Sequence, residues 1–243
     1  MNAIEKYAAT ENHHWWHRAR RHIIFTLLAK YVPKGQQSIL DVGCGPGTTI
    51  GHLEKFGRVM GIDVSYDAVK FCKGRGHEHI VCASAESLPM KDNSFSLITM
   101  LDVLEHIEDD MSVLCEIARI CKPNGTIVLT TPAYQFLWGD IDEICKHKQR
   151  YTASELCNKL KAAGLQIERV SYMNALLLPV TWLSRRLKAV IGMGKPLQSP
   201  FDKCYPAWVT STLESLFRLE AVFLKAWDLP FGVSIICIAR KRI

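Results

Sequence analysis

A glycine-rich turn directly follows a short apolar run near position 40. The segment Ile39-Leu40-Asp41-Val42 is typical of a buried strand, and Gly43, Gly45 and Gly47 come immediately after it. Three glycines in five residues exceed what a tight connection requires, and they allow a backbone to approach a nucleotide-like ligand closely. The dinucleotide pattern G-x-G-x-x-G would place its third glycine at 48, which is Thr48 here, so the spacing disfavours a pyrophosphate site.

Polar residues also follow the next three predicted strands. Asp63 closes the second strand, at a position where a carboxylate can accept both hydroxyls of a ribose. The third strand leads into Cys82-Ala83-Ser84-Ala85-Glu86, and the fourth leads into Leu101-Asp102-Val103-Leu104-Glu105-His106. Because the carboxyl ends of strands in an open α/β sheet meet at one crevice, the four segments are expected to enclose one ligand.

Strands and helices alternate along the first two thirds of the chain. The apolar patterns predict strands at 38–42, 59–64, 79–82, 96–101, 126–130 and 165–172, and helices at 48–56, 66–73, 111–121 and 152–163. Thr152 and Glu155 form a capping box at the start of the last of these helices. Regular alternation at this spacing predicts a doubly wound parallel sheet with helices on both faces.

Further helices and a last strand are predicted before and after these alternating elements. An amphipathic pattern predicts a helix over 11–31, and the last strand is expected at 233–240. The excursion before that strand, 173–232, is too long for a simple loop. It holds two helical stretches, 175–191 and 207–227, separated by a Gly/Pro-rich segment at 192–200. We therefore predict one domain with a helical cover (1–34), a core (35–172), a helical cap (173–232) and a last strand (233–243). Its sheet is predicted to be Rossmann-like, with seven mostly parallel strands of which the last is antiparallel.

The composition predicts a globular protein with one core and reduced cysteines. With 243 residues, 48% of them hydrophobic, the chain can bury one sizeable core. Its nine cysteines contain no C-x-x-C pair, so we predict reduced thiols in a cytoplasmic protein, without disulfides or a metal site. We see no secretory signal, and the longest uncharged run, 170–184, is too short for a membrane span.

The positive charge lies in the second half of the chain. Residues 1–121 carry 13 basic and 15 acidic side chains, whereas residues 122–243 carry 17 and 9. Within 175–191 an apolar stretch is followed by Arg185, Arg186 and Lys188. This pattern is compatible with three structures: a helix in peripheral contact with an anionic membrane, a lid over a lipid-like acceptor, or a helix in ordinary packing. We predict no nucleic-acid partner.

The four segments together resemble the class I S-adenosylmethionine-dependent methyltransferases of the type 11 group. The resemblance rests on D-x-G-C-G-x-G at 41–47 and L-D-V-L-E-H at 101–106, and it covers residues 35–172. It implies S-adenosylmethionine as the cofactor. The cofactor-binding residues that it implies are Asp41, Gly43, Cys44, Gly45 and Gly47 at the methionine moiety, Asp63 at the ribose, Val64, Ser84 and Ala85 at the adenine, and Leu101 and Asp102 near the methionine amino group. The family usually has Asp where this chain has Ser84.

Residues 11–21 resemble the N-terminal H-x-W-F-x-x-R-R motif of some members of this group. The resemblance implies that Trp16 and Arg20 close over the cofactor and that an arginine pairs with the carboxylate of the cofactor. His106 follows the fourth strand and is a candidate base, or else a structural contact. The segment after the fifth strand lies at the rim where substrates usually enter, and its candidates for orienting an acceptor are Glu143, His147, Arg150 and Tyr151. His106, His147 and Tyr151 are our candidate catalytic residues.

We therefore predict a methyltransferase that transfers a methyl group from S-adenosylmethionine to a small-molecule or lipid-linked acceptor. The alternative is a protein that binds the cofactor, or docks on membranes, without methyl transfer. The sequence leaves open the identity of the acceptor, the methylated atom (oxygen, nitrogen or carbon), the use of a general base and the oligomeric state.

Overall fold

A computed structural model describes residues 3–191 and 206–242 of the chain. Seven strands form one sheet: β1 (Gln37–Val42), β2 (Gly57–Asp63), β3 (Ile80–Cys82), β4 (Phe95–Leu101), β5 (Cys121–Pro132), β6 (Leu165–Met173) and β7 (Ser234–Lys241). Their spatial order is β3-β2-β1-β4-β5-β7-β6. Strands β1 to β5 pair in parallel, and β7 runs antiparallel to both β5 and β6. The predicted mostly parallel sheet with an antiparallel last strand is confirmed.

Helices cover both faces of the sheet. They are α1 (Ala3–His13), α2 (Trp15–Tyr31), α3 (Ile50–Leu53), α4 (Tyr66–Gly74), α5 (Asp110–Ile120), α6 (Asp140–Ile144), α7 (Ala153–Ala162), α8 (Leu177–Ile191) and α9 (Ala207–Ala226). One face packs against α5 and α7, through buried residues such as Ile117 and Leu160. The other face packs against α2 and α9, through Leu27 and Leu224 among others. Apolar burial on both faces drives the sheet together and leaves its strand ends open to solvent.

Two predicted helices differ from the structure. The single helix predicted over 11–31 is two helices that break at His14, whose backbone is extended and whose Nδ1 accepts a hydrogen bond from the Trp16 amide. The side chain thus caps α2 and lets α1 turn in a new direction. The helix predicted at 48–56 is the single turn α3, because the glycine turn continues as far as Thr49 before regular helix begins.

The long excursion before β7 contains the two expected helices, α8 and α9. Glu220 of α9 binds the backbone amides of Asn174 and Ala175 with its two carboxylate oxygens, which anchors the start of α8. The Gly/Pro-rich segment predicted at 192–200 lies outside the described residues. None of the helices in the described part of the chain is long and apolar enough to cross a bilayer.

Candidate active site

The glycine turn between β1 and α3 is held in a conformation that other residues rarely adopt. Gly43, Gly45 and Gly47 all have positive φ, at 70°, 52° and 79°. A Cβ atom on Gly43 would lie 2.3 Å from Cγ2 of Val103, which follows β4. The turn therefore packs directly against the segment after β4, and only glycine leaves room for that approach.

Asp63, at the end of β2, fixes the geometry of this turn. One of its carboxylate oxygens accepts the Gly45 amide at 2.9 Å, and the other accepts the Ser65 amide at 2.8 Å. Ser65 in turn caps α4 by accepting the Ala68 amide. The side chain is thus immobilised between the turn and a helix start, while it still faces the cavity described next.

A cavity of about 530 Å³ opens at the carboxyl ends of β1, β2, β3 and β4. Seven of the predicted site residues line it: Gly43, Asp63, Val64, Ser84, Ala85, Asp102 and His106. Glu86 also lines it and lies beside Ser84, whose hydroxyl accepts the Glu86 amide at 3.2 Å. The sequence segments that follow four consecutive strands do converge on one crevice.

Buried acidic oxygens without a partner belong to three side chains on β1, on α1 and after β4. These side chains are Asp41, Glu11 and Glu105. Thr99 donates to the other oxygen of Asp41 at 2.6 Å, but burial and nearby carboxylates raise the pKa of Asp41 to about 7. Burial likewise raises the pKa of Glu11. Buried carboxylate oxygens that lack a donor cost free energy unless a cation meets them, so this region is suited to a positively charged ligand.

Helix α1 places two residues here that no sequence motif marks. Tyr7 and Glu11 lie four residues apart on one face of α1, and the Tyr7 hydroxyl hydrogen-bonds to Glu11. Tyr7 as a whole is 46% exposed, yet burial and the nearby carboxylates of Glu11 and Asp102 raise the pKa of its hydroxyl. Helix α1 thus brings a phenol and a carboxylate to the acidic oxygens near the glycine turn.

Arg20 lies at the same strand ends, whereas Trp16 lies elsewhere. The Arg20 guanidinium contacts the Asp102 carboxylate at 2.6 Å and the Thr130 hydroxyl at 2.5 Å. Asp102 has a φ of 56°, a strained conformation for a residue with a side chain, of the kind that clusters at functional sites. The Trp16 ring packs edge-on against Phe217 of α9 instead of over the glycine turn.

Two histidines meet at the end of the cavity that Asp102 and Val103 line. The ring centroids of His106 and His147 are 4.8 Å apart in an edge-to-face arrangement. Nδ1 of His147 hydrogen-bonds to Asp142 at 2.8 Å, which orients its other nitrogen. Burial lowers the pKa of His106, and His147 adds to that effect. His106 is therefore neutral near pH 7 and can accept a proton.

Asp142, on α6, organises the segment after β5. It is fully buried and accepts hydrogen bonds from His147, from the Gly139 amide at 2.8 Å and from two nitrogens of Arg150, at 2.7 and 3.1 Å. Burial alone would raise its pKa, but the bonds from His147 and Arg150 outweigh burial and lower the pKa to about 2. Asp142 is thus a permanent carboxylate that fixes His147.

The remaining predicted residues occupy other places. The Tyr151 hydroxyl is buried and donates to Asp110 at 2.8 Å, an arrangement that suits packing, and a catalytic role for Tyr151 stays a prediction. Glu143 is exposed on α6. Leu101 ends β4, and Cys44 and Gly47 form the buried side of the glycine turn, where Cys44 contacts Cys72. Each of the eight described cysteines is a free thiol.

One group of side chains in the described residues has the composition of a cation site. Potential ligand atoms of Glu105, His106 and His147 lie within 4.8 Å of one another. The sequence predicts no metal site, and that absence stays a prediction. The histidine pair also has protein contacts of its own, because Asp142 hydrogen-bonds to His147 and the His147 ring packs edge-on against His106.

Comparisons with known proteins find similarity over the core of the chain. A family model described as a methyltransferase domain matches residues 40–129. An uncharacterized methyltransferase of Schizosaccharomyces pombe is 32% identical over 141 residues, which cover 52% of this chain and 49% of that protein. A ubiquinone biosynthesis O-methyltransferase of Coxiella burnetii is 29% identical over 132 residues, 48% of this chain and 56% of that protein.

A solved structure agrees in fold. An S-adenosylmethionine-dependent methyltransferase from Methanosarcina mazei superposes with a TM-score of 0.58 at 15% identity, covering 89% of this chain and 97% of that one. The first curated relatives are longer proteins, and this chain spans between a third and a half of their length. Residues 40–129 are therefore similar in sequence to a methyltransferase domain, and the sheet shares the fold of solved S-adenosylmethionine-dependent methyltransferases.

Proposed function

We propose that this chain transfers the methyl group of S-adenosylmethionine to a small-molecule or lipid-linked acceptor. The observation that carries the proposal is the convergence of the glycine turn, Asp63 and partnerless acidic oxygens at one group of strand ends. A cofactor with an ammonium group and a sulfonium needs this combination of close backbone approach and negative charge.

The residues present suit each part of that cofactor. Asp63 would accept the ribose hydroxyls, and Val64 and Ala85 would flank the adenine. Glu86 lines the cavity beside Ser84, so we propose that its carboxylate takes the role of the usual Asp toward the adenine amino group. Asp41 and Glu11 would face the ammonium. When bound, the cofactor supplies an electrophilic methyl group on sulfur.

The histidines would act on the acceptor. Methyl transfer is a direct displacement, so the protein mainly aligns the acceptor atom and removes its proton where one must leave. His106 lines the cavity and is neutral at pH 7, so we propose that it accepts this proton. His147 and Asp142 position the His106 ring from behind. The O-methyltransferase name of the Coxiella relative fits a hydroxyl acceptor, and the N-methyltransferase name of a Rauvolfia serpentina relative fits an amine.

Contact with a membrane through residues 175–191 is part of this proposal. Trp182 and Leu183 of α8 are exposed, and Arg186 stacks on the Trp182 ring. Such a helix suits an acceptor that is held in a lipid bilayer. A small-molecule acceptor remains the alternative.

The affinity for S-adenosylhomocysteine should rise with pH. Because the pKa of Asp41 is raised to about 7, the carboxyl is largely protonated in mildly acidic solution and must lose its proton to face an ammonium group. One such group predicts a roughly tenfold gain in affinity between pH of about 6 and about 8. Calorimetry across this range tests it, with Asp41→Asn expected to flatten the profile. An unchanged slope in Asp41→Asn would remove Asp41 from the site.

Methyl-labelled S-adenosylmethionine, incubated with the protein and fractionated cell extract, tests the activity. We expect a labelled product in at least one fraction and a loss of about 10²-fold or more in turnover for His106→Gln, the loss expected for a proton-accepting group. EDTA should leave transfer unchanged. Intact cofactor binding with no labelled product in any fraction would favour a binding protein without turnover. Loss on EDTA treatment, restored by Zn²⁺ or Mn²⁺, would make the histidines metal ligands.

A further inference from the structure

Exposed apolar side chains are concentrated on the two helices that precede β7. The described residues contain 17 exposed large apolar side chains, and 12 of them lie between positions 176 and 231. On α9 they form one stripe along the helix: Trp208, Leu216, Leu219, Val222, Phe223 and Trp227, which are 40 to 73% exposed. A monomeric soluble surface rarely carries so large a continuous apolar area without a partner.

The charges of α9 are sorted by face. Its two acidic residues point inward: Glu220 binds the amides of Asn174 and Ala175, and Glu214 lies 3.3 Å from Arg18. Its two basic residues, Arg218 and Lys225, are exposed beside the apolar stripe. The outward face of α9 is therefore apolar and basic, and no acidic side chain of the helix reaches it.

Helix α8 repeats the arrangement. Its sequence contains no acidic residue, and Val180, Leu183 and Leu187 recur on its exposed side. Arg186 lies 5.6 Å from the centroid of the exposed Trp182 ring. The first turn of α8 packs on α9, because Leu177 contacts the cluster that contains Phe217. Two neighbouring helices thus present the same surface chemistry.

We propose that the outward faces of α8 and α9, together the apolar-basic face, dock on an anionic lipid bilayer. An amphipathic helix with tryptophan and large aliphatic residues on its apolar side, bordered by lysine and arginine, is the pattern that inserts into the headgroup region. The absence of acidic side chains from both outward faces favours anionic lipid over a neutral one.

This face also adjoins the acceptor end of the site. Arg185 of α8 reaches to 3.9 Å from Asp142, and its guanidinium lies against Gly139 at the start of α6. Asp142 holds His147, so α8 connects the bilayer-facing surface with the histidine pair. On the basis of the proposed function, the acceptor is an amphiphile taken from the bilayer. Docking itself does not depend on that function.

Sedimentation with vesicles tests the docking. The full chain is mixed with vesicles of phosphatidylcholine alone or with about 30% phosphatidylglycerol, a content that gives a strongly negative surface. We expect binding to the anionic vesicles, and at least a tenfold loss for the double variant Leu219→Glu/Val222→Glu. Arg218→Glu/Lys225→Glu should lose the preference for anionic lipid. Lys55→Glu/Arg58→Glu changes the same charge at exposed positions elsewhere and should bind as the unaltered chain does.

Three outcomes would overturn the proposal. The first is no vesicle binding by the unaltered chain, and the second is equal binding by Leu219→Glu/Val222→Glu. The third is a dimer, measured by light scattering, that this double variant converts to monomer, which would assign the face to a second copy of the chain. Titration with S-adenosylhomocysteine in parallel shows whether each variant is folded. It also shows whether a variant that no longer binds vesicles still binds the cofactor.

Discussion

Replacing Asp142 by alanine is expected to lower the free energy of unfolding by about 3–5 kcal/mol. The carboxylate is fully buried and accepts bonds from Arg150, His147 and the Gly139 amide. Its removal leaves the Arg150 guanidinium, whose side chain is only 5% exposed, without its counter-charge. Urea denaturation at pH 7 measures the difference.

The comparison needs two further variants. Asp67→Ala removes an exposed carboxylate from α4 and should change stability by less than about 0.5 kcal/mol. Asp142→Leu/Arg150→Met removes both charges, and it should recover much of the loss because the buried Arg150 guanidinium is no longer left without its counter-charge. A loss below about 1 kcal/mol in Asp142→Ala would show that the buried pair is not intact in solution.

The same residue predicts an acid dependence. The pKa of Asp142 is lowered to about 2 in the folded protein, below its value in an unfolded chain. The stabilisation is therefore present in full above that unfolded value, near pH 4, and is lost as pH falls toward 2. The stability difference between the unaltered chain and Asp142→Ala should shrink over this acid range and stay constant at neutral pH.

Gly43→Ala is expected to weaken S-adenosylhomocysteine binding by more than about tenfold. The new Cβ would lie 2.3 Å from Val103 Cγ2, and the backbone has a φ of 70°. A left-handed conformation alone costs a residue with a side chain about 1–2 kcal/mol, and the collision adds to it, so the turn must move away from its position at the cavity. Calorimetric titration measures the change.

Two controls separate the collision from a general effect of added bulk. Val103→Ala in the Gly43→Ala background removes the colliding methyl groups and should restore part of the affinity. Gly51→Ala adds the same methyl group inside α3, where nothing lies within 4 Å, and should bind normally. Equal affinities for Gly43→Ala and Gly51→Ala would mean that the turn does not form the cofactor site.

The sheet could be predicted from sequence because its strands are buried on both faces. Apolar runs such as 38–42 and 96–101 then mark strands to within one or two residues, and the alternation with helices requires the parallel order. The break at His14 could not be predicted in this way. It depends on a side chain that caps the helix it precedes, and the apolar periodicity continues across the break.

The residues of the candidate site also fall into those that the sequence predicts and those that only the structure shows. Gly43, Asp63 and His106 were predicted because each lies at the end of a strand or shortly after it, and strand ends meet at one edge. Glu11 and Asp142 were not singled out, although both are acidic residues in segments that the sequence analysis considered. Their roles depend on contacts between distant parts of the chain, such as α1 lying over the turn after β1. Burial of a carboxylate is the signal that marks them, and it is visible only in the structure.

Titration of the full chain with S-adenosylhomocysteine tests the central claim most directly. The claim is that the cavity beside the glycine turn holds this cofactor, with Asp63 at its ribose. We predict one saturable site per chain, with affinity at least tenfold weaker in Asp63→Ala, because a carboxylate that accepts two hydroxyl hydrogen bonds contributes roughly 1.5–3 kcal/mol for each. No saturable heat up to millimolar ligand, or binding that Asp63→Ala leaves unchanged, would contradict the account.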